Sequence, residues 1–328
     1  YSLDLSAKDS IIELVLNGRV RSDGFQMRIA LTGGTGFVGQ TLIDLALSGG
    51  HSLICLARSP QKPKEGVTWV QGDLADKRAL ATLVGDADLV IHVAGVVNAP
   101  DAKGFAQGNV TGTLNLVEAC VSASLSRFVF VSSLSAREPR LSDYGASKAR
   151  AEKLVKASGL DWTIVRPPAI YGPRDTEMLE LFRAAKWGVV PTPKEGRASV
   201  IHVRDLGRLL LALMPGGEGV TGHVFEPDDG KCGGWDHYEL ARAIGWAMGR
   251  RPRILALSRK TMERAAKVDM FFRRKKAKLT MDRAAYFSHP DWVVGVGGKV
   301  PRTLWQPRIE TREGLKVTAG WYREQGWV

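Results

Sequence analysis

The sequence has little cysteine: three residues in 328, at Cys55, Cys120 and Cys232. Their spacing matches no metal-ligand pattern, and the histidines show no such spacing either. Two of the cysteines fall in segments with the character of a buried strand and a buried helix. We therefore expect inert thiols of the protein core and no metal site.

Long hydrophobic runs are also absent. No apolar stretch approaches the roughly 20 residues that a helix needs to cross a bilayer, and the amino terminus lacks the basic-then-apolar order of a secretory signal. We expect a cytoplasmic protein. Because Met27 would serve as a natural start, we interpret residues 1–26 as a leader or extension and assign them no function.

Acidic residues are too few to balance the basic ones: 34 Asp and Glu against 46 Lys and Arg give a net charge of +12. The excess is largest over residues 250–283, which also contain Met270, Phe271 and Phe272 beside a basic run at 273–276. A solvated helix face is one interpretation. The alternatives are a membrane-peripheral contact with an anionic lipid surface, contact with a carrier protein or protein complex, or a phosphorylated substrate. We expect no nucleic acid, because no recognised binding module accompanies the charge.

From residue 27 onward, strand-like apolar runs alternate with helix-length amphipathic segments. This alternation predicts an α/β fold with a doubly wound parallel sheet, covered by helices on both faces. The predicted strands are 28–32, 52–57, 68–71, 89–93, 128–132 and 162–166. The clearest helices are 37–47, 102–122 and 144–157.

The alternation breaks down after residue 166, where proline, glycine and tryptophan become frequent. We expect strand-like segments at 199–203 and 223–225 to return to the main sheet. The prediction is a Rossmann domain over 27–172 joined by 199–226, with a smaller, interleaved substrate domain from 173–198 and 227–328. The second domain would cover the carboxyl ends of the strands, where ligands bind in such sheets.

Three glycines, Gly33, Gly36 and Gly39, lie between the first predicted strand and the first predicted helix. Glycines there allow a tight turn, a close approach of the backbone to a pyrophosphate, and packing of helix on strand. The helix amino terminus adds unpaired N–H groups for the anion. We interpret the segment as a dinucleotide-binding loop; the alternative is a tight turn without a ligand.

Arg58 follows the second predicted strand, where an acid would hold the ribose diol of NAD. An arginine would instead pair with a 2′-phosphate, so we favour NADP(H) over NAD(H). The alternative is an exposed loop arginine. Asp73, after the third strand, is placed either to accept from the adenine amino group or to cap the next helix.

Tyr144 and Lys148 are four residues apart and share one face of the predicted helix. A phenol and an ammonium so arranged are suited to proton transfer. Ser132 and Ser133 end the fifth predicted strand, where they either serve the site or simply begin a turn.

Together these motifs resemble the extended short-chain dehydrogenase/reductase family, which includes nucleotide-sugar epimerases, dehydratases and NADPH-dependent ketone reductases. The resemblance covers nearly everything from residue 27 onward. It rests on segments 32–39, 72–74, 91–94, 131–133, 166–173, 202–205, 313–315 and 321–322, and on Asn109, Tyr144 and Lys148.

The resemblance implies that Tyr144 is the acid/base, that Ser133 rather than Ser132 orients the reacting oxygen, and that Lys148 stabilises the phenolate and holds the nicotinamide ribose. The implied cofactor-binding residues are Gly33, Thr35, Gly36, Phe37, Val38, Gly39, Arg58, Asp73, Leu74, Ala94, Tyr144, Lys148, Pro167 and Ile170.

Two departures from the family pattern bear on function. Only eleven positions separate Ser133 from Tyr144, fewer than in most of the sugar-nucleotide enzymes, and Arg58 also argues against those NAD-retaining enzymes. We therefore expect an NADP(H)-dependent oxidoreductase acting on a small-molecule ketone or secondary alcohol, with a homodimer as the family's common assembly. The alternatives are a sugar-nucleotide epimerase or dehydratase, and a non-catalytic NADPH-binding accessory or assembly protein related to the respiratory complex I subunit.

Overall fold

The computed structural model describes residues 26–273 and 279–328. Residues 1–25 of the segment interpreted as a leader, and residues 274–276 of the basic run, therefore lie outside the described residues.

Elements are numbered along the chain. The strands are β1 (Arg28–Thr32), β2 (Ser52–Ala57), β3 (Val67–Gln71), β4 (Leu89–His92), β5 (Arg127–Val131), β6 (Asp161–Val165), β7 (Ala169–Tyr171), β8 (Val189–Pro193), β9 (Arg197–Ala198), β10 (Val200–His202), β11 (Val224–Phe225), β12 (Trp235–Asp236), β13 (Arg253–Leu257) and β14 (Asp291–Trp292). The α-helices are α1 (Phe37–Ser48), α2 (Lys77–Val84), α3 (Ala102–Phe105), α4 (Gly112–Ser122), α5 (Asp143–Lys156), α6 (Leu179–Lys186), α7 (Val203–Ala212), α8 (His237–Ala247), α9 (Arg259–Arg273), α10 (Met281–Phe287) and α11 (Thr311–Glu324).

Seven parallel strands form the central sheet in the order β11-β6-β5-β4-β1-β2-β3. The chain order reverses on either side of β1, which lies between β2 and β4. Ligands bind at such a switch point in open α/β sheets. The doubly wound parallel sheet predicted from the sequence is confirmed.

Helices cover both faces of this sheet. Ile29 and Leu31 of β1 point to the face that α1 and α7 cover, whereas Ala30 between them points to the face under α2, α4 and α5. Strands β4 and β5 are buried along their whole length. Burial on both sides explains why their sequences, apart from His92 and Arg127, are apolar rather than alternating.

The smaller unit packs α6, α8 and α11 around a second core with Phe182, Ile244, Leu315 and Tyr322 at its centre. Strands β8 and β13 form a parallel pair beside it, and β9 lies between β12 and β14. Among the described residues, no helix combines the length and the apolar character needed to span a bilayer.

Two expectations were wrong in part. Segment 223–225 does join the main sheet through β11, but β10 pairs with β7 in a separate two-stranded sheet. The edge of β6 is already occupied by β11, so β10 has no free strand there. Cys55 and Cys120 are buried as expected, whereas Cys232 is exposed. Burial raises the pKa of each of the two buried thiols to about 12.

Candidate active site

The segment from the end of β1 to the first turn of α1 leaves no room for side chains at two of its glycines. Gly33 has a φ of +76°, and a Cβ there would lie 2.7 Å from the main-chain nitrogen of Ala94. A Cβ on Gly39 would collide with the carbonyl oxygen of Gly33. Gly36 is the N-cap of α1 and supplies no side-chain acceptor to the first turn, which also lacks an acidic residue. This cradle fits a dinucleotide pyrophosphate, because the N–H groups of the helix start remain available to an anion.

His92, the last residue of β4, links β1 and α4 beside this loop. Its Nδ1 lies 2.6 Å from the hydroxyl of Thr32 and its Nε2 lies 2.9 Å from that of Thr113. Burial lowers the pKa of His92 to about 3, with the charge of Lys148 adding to the effect. His92 is therefore a neutral, fully hydrogen-bonded core residue.

The other residues predicted to bind the cofactor line the same edge of the sheet. Parallel strands present their carboxyl ends together, so loops that are distant in sequence meet there. By position they are Thr35, Phe37 and Val38 at the start of α1, Arg58 after β2, Asp73 and Leu74 after β3, Ala94 after β4, and Pro167 and Ile170 after β6.

Two of these residues allow a closer description. Arg58 is exposed immediately after β2, beside β1 and its glycine loop. Asp73 accepts a hydrogen bond from the main-chain nitrogen of Ala75 at 2.8 Å. It does not cap the next helix: the N-cap of α2 is Asp76, whose carboxylate accepts from the nitrogens of Arg78 and Ala79. The capping alternative for Asp73 is therefore wrong.

Tyr144 and Lys148 lie one turn apart on α5, under the end of β5. Lys148 is 4% exposed, and its Nζ donates to the carbonyl oxygen of Val131 at 2.8 Å. The same nitrogen lies 4.8 Å from the centre of the Phe130 ring. Burial lowers the pKa of Lys148 to about 8, and the charge of Glu152 opposes this.

The hydroxyl of Ser133 lies beside the phenol of Tyr144. Burial raises the pKa of the Tyr144 phenol, while the hydrogen bond with Ser133 lowers it. The hydroxyl of Ser133 also accepts from the hydroxyl of Ser135 at 2.9 Å. The structure thus brings together the three predicted catalytic side chains, Ser133, Tyr144 and Lys148, at the carboxyl-terminal edge of the sheet.

Ser132 is held elsewhere. Its hydroxyl donates to the buried carboxylate of Glu152 at 2.6 Å. That carboxylate also accepts two hydrogen bonds from Arg166, which forms a further ion pair with Glu226. Consecutive residues at a strand end point to opposite sides, so the geometry separates a structural Ser132 from a Ser133 that faces Tyr144.

Asn109 ties the segment after β4 to α5. Its side chain makes hydrogen bonds to both main-chain polar groups of Val96, at 2.7 and 2.9 Å, and donates to the hydroxyl of Ser147 at 2.9 Å. Asn109 lies in a π-helical stretch, Ala106–Thr111, that joins α3 to α4. These contacts fix the position of α5, and with it Tyr144 and Lys148, relative to the segment after β4.

Sequence reasoning missed the contribution of α10. The carboxylate of Asp282 accepts from the main-chain nitrogen of Asp143 at 2.5 Å and also bonds that of Tyr144. Burial raises the pKa of Asp282, and these two bonds oppose the rise. Tyr286, on the same helix, stacks on Trp292 with ring centres 4.6 Å apart, and its proximity to Tyr144 adds to the rise in pKa that burial causes in Tyr286.

An ion pair completes this side of the site. Arg283 of α10 bonds Glu177, which follows β7 in the chain. Both charges act on the Tyr144 phenol, since Glu177 raises its pKa and Arg283 lowers it. No spacing rule connects these residues with Tyr144, because they approach it only through the tertiary fold.

Comparisons with known proteins agree with this geometry. The sequence model of the NAD dependent epimerase/dehydratase family matches residues 29–226. The chain is 36% identical over 310 residues to a ceramide reductase of Caulobacter vibrioides, covering 92% of this chain and 96% of that protein. It is 32% identical over 179 residues to a 2-alkyl-3-oxoalkanoate reductase of Stenotrophomonas maltophilia, covering 47% and 54%.

Solved structures resemble the fold along most of its length. The UDP-N-acetylglucosamine 4-epimerase of Bacillus cereus superposes with a TM-score of 0.66 at 20% identity, covering 91% of this chain and 97% of that one. The enzyme WbmH of Bordetella bronchiseptica, solved with NAD⁺, gives 0.67 at 21% identity, covering 92% and 100%. The chain belongs to the NAD dependent epimerase/dehydratase family of extended short-chain dehydrogenases/reductases and is an NAD(P)-dependent enzyme.

Proposed function

We propose that this protein is an NADP(H)-dependent oxidoreductase that interconverts a ketone and a secondary alcohol, with Tyr144 as the acid/base. The observation that carries the proposal is the contact between the Tyr144 phenol and Ser133, with the Lys148 ammonium one helical turn away. All three lie at the edge of the sheet that also holds the glycine loop.

The side chains have separable roles in the reducing direction. Tyr144 is protonated near neutral pH, because burial raises the pKa of its phenol, and it donates that proton to the carbonyl oxygen of the substrate. Ser133 hydrogen-bonds the same oxygen and fixes its direction. Lys148, protonated below about pH 8, stabilises the phenolate that is left behind. When bound, the nicotinamide supplies the hydride.

Charge around the adenosine end supports NADP(H). Arg58 stands where an NAD enzyme would carry an acid. Next to the glycine loop is a cavity of about 200 Å³, lined in part by Thr35, Lys64 and Arg174. The one acid in its lining, Asp44, is paired with Lys64 at 2.6 Å and with Arg174 at 2.9 Å. A 2′-phosphate in this cavity would therefore meet two cations and a carboxylate already paired with them.

We further propose a long-chain, lipid-like ketone as the substrate class. The ceramide reductase of Caulobacter vibrioides supports this through its name and its near full-length similarity. An apolar cluster also approaches the phenol through Tyr286: Leu134, Trp292 and Val294 are buried together, and Leu141 and Tyr286 pack against them. An alkyl chain is better matched to apolar neighbours than a sugar diphosphate, which needs polar partners.

The test is turnover by the purified full chain with a long-chain ketone in detergent, followed by the oxidation of NADPH or NADH. We expect saturable turnover with NADPH preferred. A Tyr144→Phe variant should lose turnover, whereas Tyr238→Phe, which changes an exposed tyrosine on α8, should keep it.

Two results would contradict the proposal. Equal use of the two cofactors, or a preference for NADH, would remove the NADP(H) assignment. Co-purifying NAD together with interconversion of nucleotide sugars, without net consumption of cofactor, would favour an epimerase instead.

A further inference from the structure

We propose that α9 docks this protein on anionic phospholipid membranes, through a surface that we call the basic–aromatic face. It consists of the side chains that α9 turns outward: Lys260, Arg264, Lys267, Val268, Phe271 and Phe272.

The inner side of α9 is accounted for by packing. Met262 and Ala266 are buried against Ala284 of α10. The two acids of the helix are both in ion pairs, Glu263 with Arg259 and Asp269 with Arg273. Neither acid is therefore available to neutralise the outward cations.

The cations of the outer side lie in a row. Lys260, Arg264 and Lys267 follow the i, i+4, i+7 spacing that aligns side chains along one face of a helix, and all three are exposed. Within residues 26–273 and 279–328, the structure records no acidic partner for any of them. Phe271 continues the same row at the next turn.

Large apolar side chains adjoin this row. Phe271 and Phe272 are each 78% exposed, and Val268 is 56% exposed. The two rings contact each other edge to face, with centres 5.3 Å apart. Exposed aromatic rings next to unpaired cations are typical of helices that lie in a membrane interface, with the rings among the lipid chains and the cations at the headgroups.

Charge complementarity selects an anionic bilayer over a second copy of this chain. Two copies meeting through the basic–aromatic face would oppose three cations to three cations, and the whole chain carries a net charge of +12. A bilayer rich in anionic lipid instead attracts each lysine and arginine near its surface. It also accepts both phenylalanine rings.

The position of α9 gives membrane docking a role in bringing the active site to the bilayer. Helix α10 lies between α9 and the catalytic helix, because it packs on Met262 and Ala266 through one side while Asp282 bonds the start of α5. A single helix thus separates the docked surface from Tyr144. Docking would hold the active site next to substrate in the bilayer, and this role rests on the proposed lipid substrate. The docking itself does not depend on that proposal.

The test is co-sedimentation of the full chain with vesicles, without cofactor or substrate. Vesicles of phosphatidylcholine containing phosphatidylglycerol are compared with vesicles of phosphatidylcholine alone. We expect binding to the anionic vesicles only, weakened by high salt. Phe271→Ala/Phe272→Ala and Lys260→Gln/Arg264→Gln/Lys267→Gln should each lower the apparent partition coefficient by about tenfold or more.

The matched control removes three exposed charges elsewhere: Arg150→Gln/Lys153→Gln/Arg312→Gln. It should bind the vesicles like the unaltered chain. Turnover of a ketone in detergent should be unchanged in all three variants, so that a failure to dock and a failure of the proposed chemistry are read separately.

Three outcomes overturn the docking proposal. Equal binding to both kinds of vesicle, or no binding, removes the anionic bilayer as partner. An equal loss in the control variant shows that net charge rather than the basic–aromatic face is responsible. A dimer that Phe271→Ala/Phe272→Ala converts to a monomer, without vesicle binding, shows that a second copy covers the face.

Discussion

The carboxylate of Asp282 and the main-chain nitrogen of Asp143 form a hydrogen bond of 2.5 Å between residues 139 positions apart. Asp143 is the first residue of α5 and Tyr144 is the second. Helix α10 therefore holds the amino-terminal end of the helix that carries the phenol. Charged acceptors are favourable at this end of a helix, where the first N–H groups have no partner within it.

Asp282→Ala should misplace the phenol by removing this acceptor. We expect kcat to fall about tenfold, because small displacements of a reacting group are costly, while NADPH binding stays within about twofold. Asp282→Asn retains an acceptor oxygen and should keep most of the turnover. Steady-state kinetics together with cofactor titration measures both effects, and an alanine variant as active as the unaltered chain would disprove the role of Asp282.

Tyr144→Phe removes the proton donor but little volume. We expect turnover to fall by about 10² to 10⁴, the usual size of general acid catalysis, with the affinity for NADPH nearly unchanged. Stopped-flow or steady-state assays of NADPH oxidation provide the measurement. Retention of more than about a tenth of the turnover would mean that another group donates the proton.

Arg58→Ala should discriminate between the two cofactors. Loss of a charge-assisted contact to a 2′-phosphate corresponds to about 1.5–3 kcal/mol, so the Kd for NADPH should rise roughly 10- to 100-fold. The Kd for NADH should hardly change. Fluorescence titration of both cofactors tests this, and a parallel weakening of NADPH and NADH would show that Arg58 does not contact the phosphate.

Lys148 should make the free energy of unfolding depend on pH in the alkaline range. Burial lowers the pKa of Lys148 from 10.5 to about 8, so between these values the unfolded chain holds a proton that the folded chain has lost. The free energy of unfolding then rises with pH across that window. The gain relative to Lys148→Met should approach about 3 kcal/mol, measured by urea denaturation from pH 7 to pH 10.5 without cofactor. Parallel pH profiles for the two proteins would contradict the shift.

The features predictable from sequence were those set by local geometry. The glycine loop is one, because Gly33 adopts a positive φ in the turn and a Cβ on Gly39 would collide with Gly33 in the same turn. The alignment of Tyr144 with Lys148 is another, since it follows from helical spacing alone. The main strands also agree with prediction to within a residue at each end, because short apolar runs of that length favour few alternatives.

The features that escaped prediction depend on tertiary contacts. Nothing near β10 in the sequence specifies β7 as its partner, since that choice follows from β11 occupying the edge of β6. The contact of Asp282 with α5 likewise joins distant segments. Two local errors could have been avoided: Asp76 directly precedes α2 and is the better N-cap, and Cys232 stands just before Gly233 and Gly234, a composition typical of exposed loops.

The hydrogen bonds of Asp282 to the start of α5 offer a way to inhibit the enzyme without competing with the dinucleotide. A compound that binds between α10 and α5 and competes for the main-chain nitrogen of Asp143 would move the Tyr144 phenol away from the substrate oxygen. Such a compound would not have to displace the bound dinucleotide. Selectivity would follow from the same contact, because this site lies between α10 and α5 and does not include the glycine loop.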